Sequence, residues 1–255
     1  MHVTGTSSLA PSTGFVAGGR TDLAALARQF AEDGRVRIPG ILTADFATKL
    51  HGRLKSWAEW QLVTVLSGAH REFDSAGMDA LDTVRRAQFD TLVHETARNG
   101  FQYLFDNCPL YDLARAGMLT DPVLKTAFDT VRSEAFLSLA RAVTGHDEIS
   151  FADAQATRFR PGHFLTAHDD DAHGKGRVAA YVLNLTPDWR PDFGGQLQFF
   201  NAHGDVAEAY VPRFNALSLF KVPADHAVSV VAPFAPGARY AITGWLRAGE
   251  ETPAS

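Results

Sequence analysis

The segment "FLTAHDDDAHGKGR", residues 164–177, concentrates side chains that can bind a metal ion. It places three consecutive aspartates directly after His168. The letters "FLTAH" are typical of a strand end and "DDDAHGKG" of the turn that follows it. Since alternate side chains of a strand share a face, we expect His168 and Asp170 to project to one side and Asp169 to the other. One imidazole nitrogen and one carboxylate oxygen would then converge on one point.

Two ligands hold a transition metal poorly, so a metal site needs a third residue from elsewhere. His226 is the best candidate because it begins the otherwise apolar strand "HAVSVV". Two histidines and one carboxylate are the ligands of non-haem Fe(II) oxygenases, in which three coordination positions stay open. The alternative is a solvated turn at 168–174 together with a hydrogen-bonded histidine at a strand start. Three further histidines compete as ligands but stand in apparent loops: His163, His173 and His203.

A cation is predicted close to these residues, because Arg239 opens the strand after His226 in "GARYAITGWLR". A guanidinium that projects into a β-rich interior is costly unless it meets an anion. The planar fork of arginine binds a carboxylate through two parallel hydrogen bonds. The anion is therefore either the carboxylate of a bound ligand or an internal Asp or Glu.

The elements that position these residues change in character near residue 148. Before it, the sequence predicts helices over 21–34, 43–57, 79–98 and 121–143, with strands at 35–42 and 61–66. After it, we expect strands near 149–160, 164–168, 177–185, 195–200, 206–211, 215–220, 226–232 and 239–246. Eight short strands with turns between them indicate an α+β fold: a double-stranded β-helix, the jelly-roll or cupin-like barrel, buttressed by N-terminal helices. We expect one domain over 1–255, with a mainly helical support layer at 1–148 and a catalytic core at 149–248.

Composition excludes several classes of function. The chain has 255 residues, 45% of them hydrophobic, and a net charge of −5. It lacks a lysine or arginine run that would neutralise a row of phosphates, so no nucleic-acid partner is expected. It has neither a signal-peptide pattern nor a long apolar stretch, so we expect no membrane association and a cytoplasmic location. Its single cysteine, Cys108, precludes an internal disulfide and is expected to be a small buried apolar residue. No feature of the sequence indicates an oligomeric state.

Taken in order, these motifs resemble the Fe(II)- and 2-oxoglutarate-dependent dioxygenases, specifically the prolyl 4-hydroxylase type. The ordered series is "HDD" at 168–170, "GRVAAYVLNLTPDW" at 176–189, "GGQLQFF" at 194–200, His226 and "RYAITGW" at 239–245. The segments "FLTAHDDD" and "LNLTPDW" look most similar to ribosomal-protein prolyl hydroxylases, and "RYAITGW" to the oxygen-sensing ones.

The resemblance implies a role for individual residues. Iron ligation falls to His168, Asp170 and His226, and binding of the distal carboxylate of 2-oxoglutarate to Arg239. Asn184 matches a polar position lining the cosubstrate pocket. The chain departs from the ribosomal type at Phe159, where that type tends to have a tyrosine whose hydroxyl helps to hold 2-oxoglutarate. Asn184, Thr157 or Tyr181 would have to compensate for that hydroxyl.

The implied reaction is hydroxylation of an aliphatic C–H bond with Fe(II), 2-oxoglutarate and O2, with ascorbate as an auxiliary reductant and with release of succinate and CO2. The expected substrate is a prolyl residue of a protein or peptide, in a ribosomal or translation-factor protein by the same resemblance. A hydroxylase of a free amino acid or metabolite and a non-catalytic metal-binding barrel are the alternatives. We expect specificity to be set by 61–78, 100–118 and 186–194 at the barrel mouth, with positive charge from Arg160, Lys175 and Arg177 at the rim.

Overall fold

The computed structural model describes residues 14–16, 21–171 and 174–251. Its helices are α1 (Leu23–Asp33), α2 (Ala44–Ser56), α3 (Ser75–Asp79), α4 (Thr83–Asn99), α5 (Leu110–Arg115), α6 (Pro122–Arg132) and α7 (Glu134–Thr144). Its strands are β1 (Arg35–Pro39), β2 (Gln61–Leu66), β3 (Ala69–Asp74), β4 (Tyr103–Cys108), β5 (Ile149–Ala152), β6 (Gln155–Phe159), β7 (Phe164–His168), β8 (Arg177–Asn184), β9 (Leu197–Phe200), β10 (Val206–Tyr210), β11 (Ala216–Lys221), β12 (His226–Val228) and β13 (Arg239–Ala248).

The strands form one curled antiparallel sheet in the order β1-β11-β8-β13-β6-β4-β7-β12-β9-β10. The run β11-β8-β13-β6 is one wall of the barrel, and β7-β12-β9-β10 is the facing wall. From β6 to β13 successive strands fall in opposite walls, except for the hairpin β9–β10, which lies within one wall; this is the topology of a double-stranded β-helix. The predicted fold class is therefore confirmed.

Strand β4 joins the two walls. It pairs with β6 through Asp106, Asn107 and Cys108, and with β7 through Tyr103 and Leu104. Its other edge pairs with β2, which forms a hairpin with β3. The sequence predicts a hairpin over 61–78, which contains β2 and β3, but no strand at β4; the N-terminal half contributes four strands to the sheet and closes the barrel on one side.

The sheet separates two hydrophobic clusters. On the outer face, residues of α2, α6 and α7 pack against the barrel, as the sequence predicts; Leu50, Leu54 and Phe136 are almost fully buried there. On the inner face, Val182, Leu197, Phe199 and Phe220 form a smaller cluster. Side chains alternate along β8, so Tyr181 contacts the helices while Val182 faces the barrel interior. The sheet thus separates the side chains of the barrel interior from the main hydrophobic core.

Two predicted elements are divided in the structure, each time by a polar side chain, and a third starts later than predicted. The predicted helix 79–98 begins at Thr83, because Asp82 accepts from the backbone N–H of Arg85 and caps α4, whereas α3 ends at Asp79. Ser133 ends α6 and caps α7 in the predicted helix 121–143. The predicted strand 149–160 breaks at Asp153, whose carboxylate accepts from the backbone N–H of Trp245 at 2.7 Å.

The helix predicted over 21–34 is α1, which begins at Leu23 with Asp22 at the cap position. The predicted strand 226–232 ends at Val228. Among the described helices, none has the length and apolar composition required to cross a membrane.

Candidate functional site

Three residues proposed from the sequence lie together on the inner face of the barrel. The ligand atoms of His168, Asp170 and His226 are all within 4.8 Å of one another. Asp170 lies between the two rings: Oδ1 is 3.5 Å from His168 Nε2, and Oδ2 is 3.5 Å from His226 Nε2. The two histidines are direct cross-strand partners on β7 and β12, and their ring centroids are 4.1 Å apart. Such a cluster can hold a single metal ion on three protein ligands.

The strand alternation used to pair His168 with Asp170 is not how the structure brings them together. Strand β7 ends at His168, and Asp170 has a left-handed backbone with φ of 64°. The chain therefore turns back after His168, and this turn, rather than a continued strand, directs the Asp170 carboxylate toward both imidazoles. Asp169 is exposed and accepts a hydrogen bond from the backbone N–H of Asp171, so the predicted outward direction of Asp169 is confirmed.

Each histidine is oriented by a backbone carbonyl two residues before it. Nδ1 of His168 lies 2.9 Å from the Thr166 oxygen, and Nδ1 of His226 lies 2.7 Å from the Ala224 oxygen. Nδ1–H donates in both contacts, because a carbonyl can only accept. Both Nε2 lone pairs are therefore free to face the centre, as histidine ligands of a metal require.

Electrostatics favour the protonation states that bind metal. Burial raises the pKa of the Asp170 carboxyl, but its contacts with His168 and His226 outweigh burial and hold that pKa below its ordinary value. Burial, followed by the neighbouring His168, lowers the pKa of His226. The carboxylate is ionised and His226 is neutral at neutral pH, and metal binding needs both states.

Arg239 is the second half of the site. It is only 2% exposed, and burial alone lowers its pKa to about 10. Within the described residues, its guanidinium has one hydrogen-bond partner: Nη2 donates to Asn184 Oδ1 at 3.3 Å, and Nε has none. An internal salt bridge to Asp or Glu is not found among these residues. A buried cation with an unsatisfied donor fits the carboxylate of a ligand.

Of the candidates to compensate for Phe159, Tyr181 is excluded by its surroundings. Its hydroxyl donates to the Asp153 carbonyl at 2.7 Å on the helical side of the sheet. Thr157 and Asn184 remain, since both are buried and their positions flank Ala241 on neighbouring strands. Phe159 itself stacks on Phe105, with centroids 5.0 Å apart, and lies beneath the Arg239 guanidinium.

The triad and Arg239 line one cavity of about 490 Å³. Apolar side chains from both barrel walls surround it, among them Val182, Leu197, Val228 and Trp245. In the "GGQLQFF" motif a Cβ on Gly194 would lie 2.0 Å from the Val230 carbonyl oxygen, so only glycine fits this position.

A wall of aromatic residues from β4 and the segment just before it runs along the cavity; the sequence indicated only that 100–118 lies at the barrel mouth. Phe101, Tyr103 and Phe105 follow one another at centroid distances of 5.6 Å and 5.6 Å. Phe101 packs on His168 at 5.4 Å, whereas Phe105 stacks on Phe159 below Arg239. The wall thus spans the distance from the triad to the arginine. The alternating aromatic residues of "FQYLF" were the signal that could have revealed it.

The competing candidates lie elsewhere. His163 is buried outside the triad, and burial lowers its pKa to about 4. His203 lies in an exposed turn, and His173 falls outside the described residues. Burial raises the pKa of Cys108 to about 12, in agreement with an inert apolar residue.

The expected positive rim is wrong for two of its three residues. Arg160 pairs with Asp79 and with the buried Asp106. Arg177 lies inside the cavity against Trp245. Lys175 alone is exposed at the turn.

The geometry agrees with comparisons to known proteins. Residues 154–247 match the model of the 2OG-Fe(II) oxygenase superfamily, where 2OG stands for 2-oxoglutarate. This range is therefore similar to a 2OG-Fe(II) oxygenase domain. It contains the His-Asp-His triad, Asn184 and Arg239.

Two curated relatives are similar to the chain over part of their length. The chain is 29% identical over 120 residues to the prolyl 3-hydroxylase OGFOD1 of Mus musculus, which covers 44% of this chain and 22% of that protein. The Xenopus laevis protein of the same name is 33% identical over 89 residues, or 32% of this chain and 17% of that protein. The chain thus matches about a fifth of the length of these relatives.

Solved structures share the fold of this chain. A prolyl-4-hydroxylase of Pseudomonas putida has a TM-score of 0.57 at 18% identity, over 89% of this chain and 100% of that one. A prolyl hydroxylase of Trichoplax adhaerens, in complex with a hypoxia inducible factor peptide fragment, has a TM-score of 0.58 at 17% identity, over 91% and 95% of the two chains.

Proposed function

We propose that this oxygenase hydroxylates an aliphatic C–H bond of a prolyl residue in a protein or peptide. The reaction consumes O2 and 2-oxoglutarate and releases succinate and CO2, so one oxygen atom enters the substrate and the other enters succinate. The observation that carries the proposal is the pairing, in one cavity, of a His-Asp-His triad with a buried arginine that lacks an anion.

The residues present fit both Fe(II) and 2-oxoglutarate. His168, Asp170 and His226 would hold the metal, and Arg239 with Asn184 would bind the distal carboxylate of 2-oxoglutarate. When bound, the iron activates dioxygen and 2-oxoglutarate supplies two of the electrons.

The remaining steps belong to the protein. Arg239 orients the cosubstrate along the aromatic wall, and the carbonyls of Thr166 and Ala224 keep the protons of both imidazoles on Nδ1. The apolar lining excludes water from the reacting atoms.

A prolyl substrate is supported by the named relatives and by the shape of the cavity mouth. Phe101, 49% exposed, and Tyr103 lie beside the triad. His70 of the β2–β3 hairpin binds the Tyr103 hydroxyl through Nδ1 at 2.6 Å and lines the same opening. Aromatic faces next to the reactive centre suit a pyrrolidine ring, and the exposed edge leaves room for the flanking peptide.

The test is incubation of the purified protein with Fe(II), 2-oxoglutarate and ascorbate, together with prolyl peptides and ribosomal or translation-factor proteins. We expect mass spectrometry to find one added oxygen on a proline and an equal amount of succinate, with fragment ions that distinguish C3 from C4. Asp170→Ala is the inactive control.

Hydroxylation of a small molecule is the second candidate, because a cavity of about 490 Å³ is within the size range of small-ligand sites. Turnover stimulated by a free amino acid or metabolite, with none by any protein or prolyl peptide, would establish it in place of the prolyl assignment.

A further inference from the structure

The backbone of Asp170 is strained where the triad depends on it. A residue other than glycine with φ of 64° is in the left-handed region, which costs roughly 1 kcal/mol and is less unfavourable for aspartate than for most residues. Strand β7 ends two residues earlier, so no strand pairing fixes this conformation. Some other contact has to hold Asp170 in the orientation that faces both histidines.

Arg177 makes that contact. Its Nη1 donates to the carbonyl oxygen of Asp170 at 3.0 Å and lies 4.0 Å from the Asp170 Oδ1. The guanidinium lies over the ring of Trp245, with its central carbon 3.5 Å from the ring centroid. Arg177 lies on β8 and Trp245 on the paired strand β13. Because these strands are hydrogen-bonded to each other, they hold the guanidinium in place.

The neighbouring Arg247 does not compete with Arg177 for Asp170. Arg247 is the cross-strand neighbour of Arg177 on β13, but its guanidinium forms an ion pair with Asp153. The Arg177 side chain is 13% exposed, and its attraction to Asp170 is therefore only weakly screened by water.

We propose that Arg177 is a positioning residue for the metal centre. Held on Trp245, it keeps Asp170 in the left-handed conformation in which the carboxylate reaches both imidazoles. The inference rests on the metal site of the proposed function but not on the prolyl substrate.

The test measures metal binding without turnover. Mn(II) or Co(II) is titrated into the metal-free Arg177→Gln variant by calorimetry, and the Co(II) absorption spectrum is recorded. We expect the dissociation constant to rise about tenfold to hundredfold, as for the loss of other groups that orient metal ligands. The melting temperature of the metal-free variant is expected to stay close to that of the wild type. Lys175→Gln, which removes one exposed positive charge from the same turn, should bind metal like the wild type.

Each outcome decides the inference. Wild-type affinity and an unchanged Co(II) spectrum in folded Arg177→Gln would overturn it. If that variant does not fold, Arg177→Lys replaces it, because an ammonium cannot stack flat on Trp245, and wild-type affinity there would equally overturn the inference. A wild-type protein that binds neither metal would refute the proposed function as well. Weakened metal binding in the variant with no prolyl turnover in the wild type would refute only the prolyl substrate.

Discussion

At the scale of single residues, Asp169 and Asp170 are neighbours in the chain with opposite surroundings. Asp170 lies between two imidazoles, whereas Asp169 is exposed. We predict that Asp170→Ala abolishes Fe(II) or Mn(II) binding and activity, and that Asp169→Ala retains both. Metal titration of the purified variants checks this. Retained metal in Asp170→Ala with loss in Asp169→Ala would show that the ligand has been misassigned.

Arg239 is predicted to act on the cosubstrate and not on the metal. Arg239→Ala should raise the KM for 2-oxoglutarate on the order of a hundredfold, because truncating one partner of a buried charged pair costs several kcal/mol. Metal affinity, measured without 2-oxoglutarate, should change little. The assignment fails if the 2-oxoglutarate dependence of succinate formation is the same in variant and wild type.

The residue types and their order brought together His168, Asp170, His226 and Arg239, which line one cavity in the structure, while their roles and that of Asn184 stay predictions. What they could not predict is the conformation that brings Asp170 to the histidines, because a left-handed backbone depends on contacts from distant strands. The role of Arg177 could not be predicted for the same reason, because Trp245, the ring on which its guanidinium packs, lies far along the chain.

At the scale of elements, β4 shows where pattern reading fails. Residues of β4 are buried on both faces, with Asp106 inaccessible on one side and Phe105 packed on the other. A strand covered on both sides loses the alternation of polar and apolar residues that marks a half-buried strand. By contrast, both ends of β7 were predicted correctly, because Gly162 stands just before the strand and the aspartates follow directly after it.

The turn between β6 and β7 contains a histidine that should make stability depend on pH. His163 is 1% exposed, and burial lowers its pKa from 6.5 to about 4. Between these pH values the unfolded chain binds a proton that the folded chain excludes. The free energy of unfolding is therefore highest above about pH 6.5 and decreases toward pH 4. The shift corresponds to about 3 kcal/mol.

We expect His163→Gln to remove this part of the pH dependence. Denaturant unfolding at pH 7, 5.5 and 4 should show a smaller loss of stability on acidification than in the wild type. The slope with pH is compared rather than the absolute stability, because the substitution also changes packing. Equal slopes in the two proteins would mean that His163 is not the titrating group.

At the scale of the whole molecule, the residues of the catalytic core do not form a closed structure by themselves. Strand β1 covers the edge of β11, and β4 covers the edges of β6 and β7. Uncovered strand edges pair with other chains. We predict that a fragment of residues 149–251 aggregates or stays unfolded, as judged by size-exclusion chromatography and circular dichroism, whereas the full chain does not. A monomeric fragment that binds metal would contradict this.

The buried thiol of Cys108 makes the chain convenient for spectroscopic labelling. Cys108 is the only cysteine of the chain, it is 1% exposed, and with a pKa of about 12 it has almost no thiolate to react with a maleimide. A cysteine introduced at the exposed Ser67, at the tip of the β2–β3 hairpin, would therefore be the single labelled position without further mutation. A fluorophore attached there, three residues from His70 of the cavity lining, would provide a direct test of whether a peptide binds.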